Sequence, residues 1–148
     1  MRIALAADHA GFALKQDIAA WLRELGRAVA DLGTDSEESV DYPQFGAKLA
    51  RAITAGEAER GIAVCGSGIG IAIAINRFAG CRCAHVSEPL SATLARTHND
   101  ANVLALGARL VGPDMARACV AAFLGADFTG GRHQHRVDQL SSLLQDSD

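Results

Sequence analysis

The sequence predicts an α/β domain, and two observations support that prediction. Short apolar runs that suit buried strands alternate along the chain with longer stretches in which apolar residues recur at helical spacing. Strands separated by helices of about 10–15 residues are typical of β-α-β units, which form a parallel sheet covered by helices on both faces. With 148 residues, 49% hydrophobic and 21% charged, the chain has the size and composition of one globular domain. We therefore expect a single domain over residues 1–148.

Five apolar runs are predicted as strands. They cover residues 2–7, 27–32, 61–65, 82–86 and 102–106. The first run ends at the polar pair Asp8-His9, and the third continues directly into a glycine-rich segment. Together they predict a three-layer α/β/α, Rossmann-like domain with a five-stranded parallel sheet. Ligands of such sheets bind beyond the carboxyl ends of the strands, so both polar segments are candidates for a site.

Six amphipathic stretches are predicted as helices. They cover residues 12–25, 43–54, the run from the glycine-rich segment to Phe78, 88–98, 113–124 and 134–144. Pro43 and Pro113 suit the first turn of a helix, where proline costs no hydrogen bond. Gly26 suits the position just after the first helix. We find no internal repeat and no linker.

Charge and hydropathy exclude several classes of protein. Fourteen Lys and Arg against seventeen Asp and Glu give a net charge of −3, whereas a general nucleic-acid binder normally carries a basic excess. The apolar runs end well before the ~18 residues that a membrane span needs. Residues 3–7 resemble the start of a signal peptide, but Asp8 and His9 end that run too early. We expect a cytoplasmic protein with neither nucleic acid nor membrane as partner.

The segment from Cys65 to Gly70 joins a predicted strand to a predicted helix. Such a turn presents backbone N–H groups and a positive helix end, which favour an anion or a developing oxyanion. Three familiar loops do not fit. Position 71 is Ile, where a dinucleotide fingerprint needs Gly or Ala and a cysteine phosphatase needs Arg, and the Gly-Lys-Ser/Thr ending of a nucleotide P-loop is missing. An anion-binding loop and a merely tight turn both remain open.

The four cysteines fall into two groups. Cys65 lies between a strand and a helix N-terminus, a position that favours the reactive thiolate. Cys81 and Cys83 have the spacing of alternate strand residues rather than the Cys-x-x-Cys of a zinc site, and Cys119 falls in an Ala-rich helical pattern. We expect these three to be ordinary buried thiols.

Seven short motifs occur in a fixed order along the chain. They are Asp8-His9-Ala10-Gly11, Asp41-Tyr42-Pro43, Cys65-Gly66-Ser67-Gly68-Ile69-Gly70, Ala74-x-Asn76-Arg77, Ser87-Glu88-Pro89, His98-Asn99-Asp100-x-Asn102 and Gly130-Gly131-Arg132-His133-Gln134-x-Arg136. This ordered set resembles the type B ribose-5-phosphate isomerase family, which includes allose- and galactose-6-phosphate isomerases. The resemblance runs from residue 3 to about 140.

The resemblance implies a reaction and four catalytic residues. Members of the family interconvert an aldose phosphate and a ketose phosphate through a cis-enediolate, with no metal and no other cofactor. Cys65 matches the thiolate base, since the Glu that replaces it in some members would stand at Ile71. His98 matches the acid that opens the sugar ring, and Asp8 would bind sugar hydroxyls or help in that step. Ser67 would relay a proton between O1 and O2.

The resemblance also implies how the substrate is bound. Phosphate would be held by His9, Arg109, Arg132 and Arg136, Tyr42 would line the pocket, and the enediolate would be held by backbone N–H groups of Gly66, Ser67, Gly68, Ile69 and Gly70. Simpler interpretations exist for several of these residues. Asp8 and Ser67 suit capping roles, His98 suits the C-terminal end of a helix, and the two C-terminal arginines suit a solvated basic face.

Partners and substrate follow from the same resemblance. Asn99 and the C-terminal segment are similar to parts that family dimers contribute across the subunit interface, so we expect a homodimer or a homotetramer with Asn99 at the substrate. Ribose 5-phosphate and ribulose 5-phosphate are the expected substrates. Allose 6-phosphate, galactose 6-phosphate and a tetrose phosphate remain alternatives, because one carbon changes binding modestly. A non-catalytic phosphosugar-binding subunit is a further alternative, although Cys65, Ser67 and His98 are all present.

His133 and His135 raise the question of a metal site. A His-x-His pair on a helix points its two rings apart, and no carboxylate stands at helical spacing beside them. We therefore expect no metal.

Overall fold

A computed structural model of the chain describes residues 1–144. The strands are β1 (Arg2–Ala7), β2 (Ala28–Asp31), β3 (Arg60–Cys65), β4 (Cys83–His85) and β5 (Val103–Gly107). The helices are α1 (Phe12–Glu24), α2 (Tyr42–Thr54), α3 (Ile69–Ile75), α4 (Pro89–Asn99), α5 (Pro113–Gly125) and α6 (Arg132–Leu143). The last four residues of the predicted domain lie outside the described part.

All five strands form one parallel sheet in the order β2-β1-β3-β5-β4. The register aligns the carboxyl ends of the central strands, with Ala7 opposite Val64 and Cys65 opposite Gly107. The predicted five-stranded α/β/α, Rossmann-like fold is confirmed. Its carboxyl edge gathers the residues that follow β1, β3 and β5.

The two faces of the sheet are filled differently. Large side chains such as Leu5, Ile62 and Leu104 pack against α1, α4 and α5. Small side chains such as Ala6, Ala63 and Ala105 face α2 and α3. This alternation follows from the two-residue period of a strand, which sends neighbouring side chains to opposite faces.

Several predicted boundaries differ from the structure by one to three residues. Helix α3 ends at Ile75 rather than Phe78, because the Asn76 side chain turns to the edge strand β4. Its Oδ1 accepts the Cys83 N–H at 2.8 Å and its Nδ2 donates to the Cys83 carbonyl at 2.9 Å. Strand β4 has three residues instead of the five predicted, and α6 begins at Arg132 rather than 134.

Helix α6 lies at the periphery. Val137 is its one buried residue among those described, and the segment before it is tied to α4 by Thr129, whose N–H and hydroxyl both donate to the Thr97 carbonyl at 3.1 and 2.8 Å. Helix α6 therefore lies at the surface of the domain and contributes little to its core. Within residues 1–144, no helix is both long and apolar enough to span a bilayer.

Candidate active site

A cleft opens at the carboxyl edge of the sheet, and it is called the thiol cleft here. Its walls are Asp8, His9, Ala10, Tyr42, Cys65, Gly66, Ser67, Ile69, Gly70, Ile73, Arg109 and Leu110. These residues follow β1, β3 and β5 or begin α2 and α3. The fold therefore brings together nine of the residues proposed from sequence. They are Asp8, His9, Tyr42, Cys65, Gly66, Ser67, Ile69, Gly70 and Arg109.

Cys65 forms the floor of the thiol cleft. It is the last residue of β3 and only 4% exposed, and its Sγ accepts the N–H of Gly68 at 3.1 Å. Gly68 has a φ of +78°, and a Cβ there would lie 2.7 Å from both His85 and the Leu106 backbone. Only glycine fits so tight a turn. The loop thus directs a backbone donor at the sulfur, which stabilises a thiolate.

Asp8 and Ser67 each accept a backbone N–H just before a helix, although the N-cap residues of these helices are Gly11 and Gly68. Asp8 is buried, and its Oδ1 accepts the N–H of Gly11 at 3.0 Å at the start of α1. The Ser67 Oγ accepts the N–H of Ile69 at 3.1 Å. In the loop expected to bind the enediolate, the N–H groups of Gly68 and Ile69 thus already have partners within the loop.

His9 and Tyr42 connect the thiol cleft to the loop before α2. The Nδ1 of His9 lies 3.1 Å from both the nitrogen and the oxygen of Val40, so this nitrogen is bound to the loop backbone. The Tyr42 ring lies directly over Gly70, where a Cβ would come within 2.7 Å of it. Glycine at 70 therefore lets the aromatic ring form a wall of the cleft.

Arg109 supplies a cation to the thiol cleft. It follows β5, its N–H donates to the Gly66 carbonyl at 2.9 Å, and its guanidinium lies over Gly66, where a Cβ would be 3.3 Å from Nη1. The side chain is exposed. An anion that enters the cleft would therefore come close to the positive charge of Arg109, next to Cys65.

A second group of predicted residues lies elsewhere, and it is called the histidine end here. His98 and Asn99 are the last residues of α4, and Arg132 and Arg136 lie on α6. The His98 ring stacks on that of His133, with centroids 4.2 Å apart and planes 13° from parallel. Desolvation, together with His98, Arg132 and Arg136, lowers the pKa of His133. A neutral His133 can stack on His98 without repelling it.

The topology places the thiol cleft and the histidine end at opposite edges of the sheet. Helix α4 begins after β4, at the carboxyl edge, and its 11 residues carry the chain back about 16 Å to the amino edge. Asn102, just beyond α4, accepts the N–H of Gly61 at the start of β3. His98, Asn99, Arg132 and Arg136 therefore do not line the thiol cleft of their own chain.

An exposed apolar surface runs from the thiol cleft to α6, and it is called the apolar strip here. It contains Ile69 and Ile73 on α3, Cys83 on β4, and Leu140 and Leu143 on α6. Ile73 is 53% exposed and Leu143 64%. A contiguous apolar surface on a small domain marks an interaction site.

The other three cysteines differ from Cys65. Burial raises the pKa of Cys81 to about 11, and burial also raises the pKa of Cys83 and of Cys119. Cys81 and Cys119 are buried as expected, whereas Cys83 is only half-buried because β4 is an edge strand. All three therefore remain protonated at neutral pH.

Sequence reasoning missed several residues of these surfaces. Leu110 and Ile73 line the thiol cleft, and His133 stacks on His98. The spacing of Ile69 and Ile73, one helical turn apart, was a signal for the exposed face of α3. No group of three His, Cys, Asp or Glu side chains in the described part of the chain is arranged to hold a metal.

Comparison with known proteins gives consistent results. The Ribose/Galactose Isomerase family matches residues 3–140 of the chain. The chain is 50% identical to ribose-5-phosphate isomerase B of Escherichia coli over 97% of each protein. It is 40% identical to D-erythrulose-4-phosphate isomerase of Pectobacterium atrosepticum, over 95% of this chain and 93% of that one. The solved ribose-5-phosphate isomerase B of Clostridium thermocellum superposes with a TM-score of 0.99 at 46% identity, covering 100% of both chains.

Proposed function

The chain belongs to the Ribose/Galactose Isomerase family, and from that premise we propose that it interconverts D-ribose 5-phosphate and D-ribulose 5-phosphate. The observation that carries this proposal is the near full-length match, at 50% identity, to a ribose-5-phosphate isomerase B. The thiol cleft supports the same reaction, because it combines a base, polar side chains and a cation in one place.

The first step is opening of the furanose ring. We assign the acid to His98, which gives a proton to the ring oxygen O4 as the C1–O4 bond breaks. Asp8, which lines the cleft, accepts the proton of the C1 hydroxyl and leaves an open-chain aldehyde. A histidine suits the acid role because an imidazole can both donate and accept a proton.

The second step moves a hydrogen between carbons. The Cys65 thiolate removes the proton from C2, and the electron pair forms the C1–C2 double bond of a cis-enediolate. Ser67 carries the O2 proton to O1, since its hydroxyl is held beside Cys65 by the Ile69 N–H. The Cys65 thiol then returns its proton to C1, which gives the ketose and restores the thiolate.

The phosphate group of the substrate needs cationic side chains to bind it. Some of these lie in the thiol cleft and the others at the histidine end. His9 and Arg109 belong to the thiol cleft. Arg132 and Arg136 belong to the histidine end, where the spacing of four residues places both on one side of α6. Guanidinium groups bind phosphate through paired, charge-assisted hydrogen bonds.

A complete site needs a second copy of the chain, because one chain holds its two halves at opposite edges of the sheet. We therefore propose a homodimer in which the histidine end of one copy closes the thiol cleft of the other. The apolar strip supports this arrangement, since it begins at the cleft and ends on α6, next to the histidine end. Two such dimers could pair into a tetramer. Asn99 would then bind substrate in the neighbouring cleft.

We also propose that the protein acts in the pentose phosphate pathway, where ribose 5-phosphate is interconverted with ribulose 5-phosphate, and that it does so in the cytoplasm. The experiment that tests the substrate is a panel of ribose, allose, galactose and erythrose phosphates, measured by kcat/KM. We expect ribose 5-phosphate to be preferred. The 40% identity to a tetrose phosphate isomerase makes erythrose 4-phosphate the second candidate. A kcat/KM at least tenfold higher for any non-pentose would overturn our choice of substrate.

A mixing experiment tests the shared site. Cys65→Ala and His98→Asn chains are each inactive as homodimers under this proposal. Unfolded together in equal amounts and refolded, half of the dimers contain one of each, and each such dimer has one intact site, so about a quarter of the wild-type activity returns. Sites built within one chain would give no recovery. A mixture of Cys65→Ala with itself is the control.

A further inference from the structure

Three charged side chains form a cluster immediately beyond the histidine end. The Asp100 carboxylate joins Arg96, with Nη1 2.8 Å from Oδ1, to Arg82, with Nη2 3.2 Å from Oδ2. Arg96 is only 3% exposed. Burial and the charge of Arg96 lower the pKa of Arg60, and the negative charge of Asp100 partly opposes this shift. One carboxylate therefore balances several arginines at the amino edge of the sheet.

Arg82 also holds the backbone at the end of α4. Its Nε donates to the Asp100 carbonyl at 2.9 Å and to the Asn99 carbonyl at 3.2 Å. The last carbonyls of a helix have no partner within the helix, and helix ends fray for that reason. Arg82 thus holds the backbone carbonyls of Asn99 and Asp100 in place. His98 directly precedes these two residues.

The cluster ends α4 in a way that costs free energy. Asp100 has a left-handed backbone with a φ of 48°, which Gly or Asn would adopt at less cost. The Nε of Arg96 is buried without a hydrogen-bond partner among the described residues, and such an atom costs free energy. Buried ion pairs contribute little net stability. Stability of the fold alone therefore does not explain this arrangement.

Its position does. A group that transfers protons must be held within about 0.5 Å of its working geometry, and His98 lies in the last turn of a helix, the part that frays most. We propose that Asp100, with Arg82 and Arg96, is a positioning device that holds His98 and Asn99 rigid for ring opening in the neighbouring subunit. This inference rests on the proposed function. None of the three side chains touches the substrate.

The test compares two reactions of one enzyme. Ribose 5-phosphate is a closed ring and needs the ring-opening acid. Ribulose 5-phosphate carries its phosphate on O5 and stays open-chain, so exchange of its C1 hydrogen with solvent D₂O needs only Cys65 and the proton relay. Asp100→Asn keeps the left-handed backbone but removes the charge, and Arg82→Met removes the hold on the carbonyls. Arg82→Lys keeps the charge. Asp17→Asn breaks a more exposed ion pair, with Arg117, between α1 and α5.

We expect Asp100→Asn and Arg82→Met to lower kcat for ribose 5-phosphate at least tenfold, with C1 exchange on ribulose 5-phosphate changed less than threefold. Arg82→Lys should restore part of the loss, and Asp17→Asn should change neither reaction. Dimer mass and thermal unfolding are measured on every variant, and Arg82→Met serves if Asp100→Asn does not fold. Wild-type kcat in both variants, or an equal fall in both reactions, overturns the inference. A wild-type protein inactive on ribose 5-phosphate instead overturns the proposed function.

Discussion

The thiol cleft and the histidine end hold their functional side chains by different means. The cleft is built on strand ends, and its central residue, Cys65, is buried and directed by a backbone N–H. The histidine end is built on helix ends, and His98 and Arg136 are exposed. At the histidine end, stacked imidazole rings and ion pairs hold the side chains in place, as the sheet does in the thiol cleft. A half-site on a sheet is rigid by itself, whereas one on helix termini needs side-chain networks or a partner.

Removing the Cys65 thiol should have the largest effect on catalysis of any change confined to the thiol cleft. Cys65→Ala should lower kcat at least ~10²-fold, since it deletes a positioned general base, while substrate still binds because Arg109 and the polar side chains of the cleft are unchanged. Steady-state kinetics and equilibrium binding of ribose 5-phosphate measure the two effects. Cys119→Ala, which removes a thiol from the core, is the control and should keep wild-type kcat. Near-normal turnover by Cys65→Ala would mean that another residue abstracts the proton.

Removing a cation tests the histidine end in the same way. Arg136→Ala should raise KM about ten- to a hundredfold with little change in kcat, because phosphate is bound in both the ground state and the transition state. Arg23→Ala, which removes an exposed arginine from α1, should leave KM unchanged. An unchanged KM in Arg136→Ala would place that arginine on a solvated face.

Separating the two regions should remove activity without touching either. Leu143→Asp puts a carboxylate into the apolar strip outside the cleft, and the side chain is 64% exposed in the single chain, so the domain should stay folded. An unpaired charge in an apolar interface should weaken self-association at least ~10-fold. Sedimentation and activity as a function of protein concentration measure this. Leu25→Asp, on a comparably exposed site at the end of α1, is the control. A dimer of unchanged stability in Leu143→Asp would exclude this surface as the interface.

The smallest effect concerns the cleft thiol in the intact protein. Iodoacetamide at neutral pH should label Cys65 several-fold faster than Cys81, Cys83 or Cys119, whose thiols are kept protonated by burial. Ribose 5-phosphate should slow labelling of Cys65 alone by filling the cleft. Peptide mass spectrometry identifies the labelled residue. Labelling that starts at another cysteine would contradict the special environment of Cys65.

The sequence predicted the thiol cleft better than the histidine end, and the reason is physical. A strand that runs into a glycine-rich turn is a local pattern, so Cys65 and its neighbours could be placed at one edge of the sheet. The separation of His98 from Cys65 depends on which edge each helix ends at. The boundary of α3 depends on a bond between Asn76 and Cys83, seven residues away. The cluster around Asp100 depends on Arg82, eighteen residues away. Such contacts between distant residues leave no periodic signal.

The contact between Asn76 and Cys83 also has a consequence for how copies of the chain can meet. β4 is an outer strand of the sheet, and the amide of Asn76 occupies both the outward N–H and the outward carbonyl of Cys83. An open edge would invite a strand from another chain to continue the sheet, which is the usual beginning of aggregation. Here the outward backbone pairing sites of Cys83, the first residue of β4, are already filled. At Cys83 a neighbouring molecule therefore meets an amide side chain rather than free backbone groups, which disfavours continuation of the sheet at that end of β4.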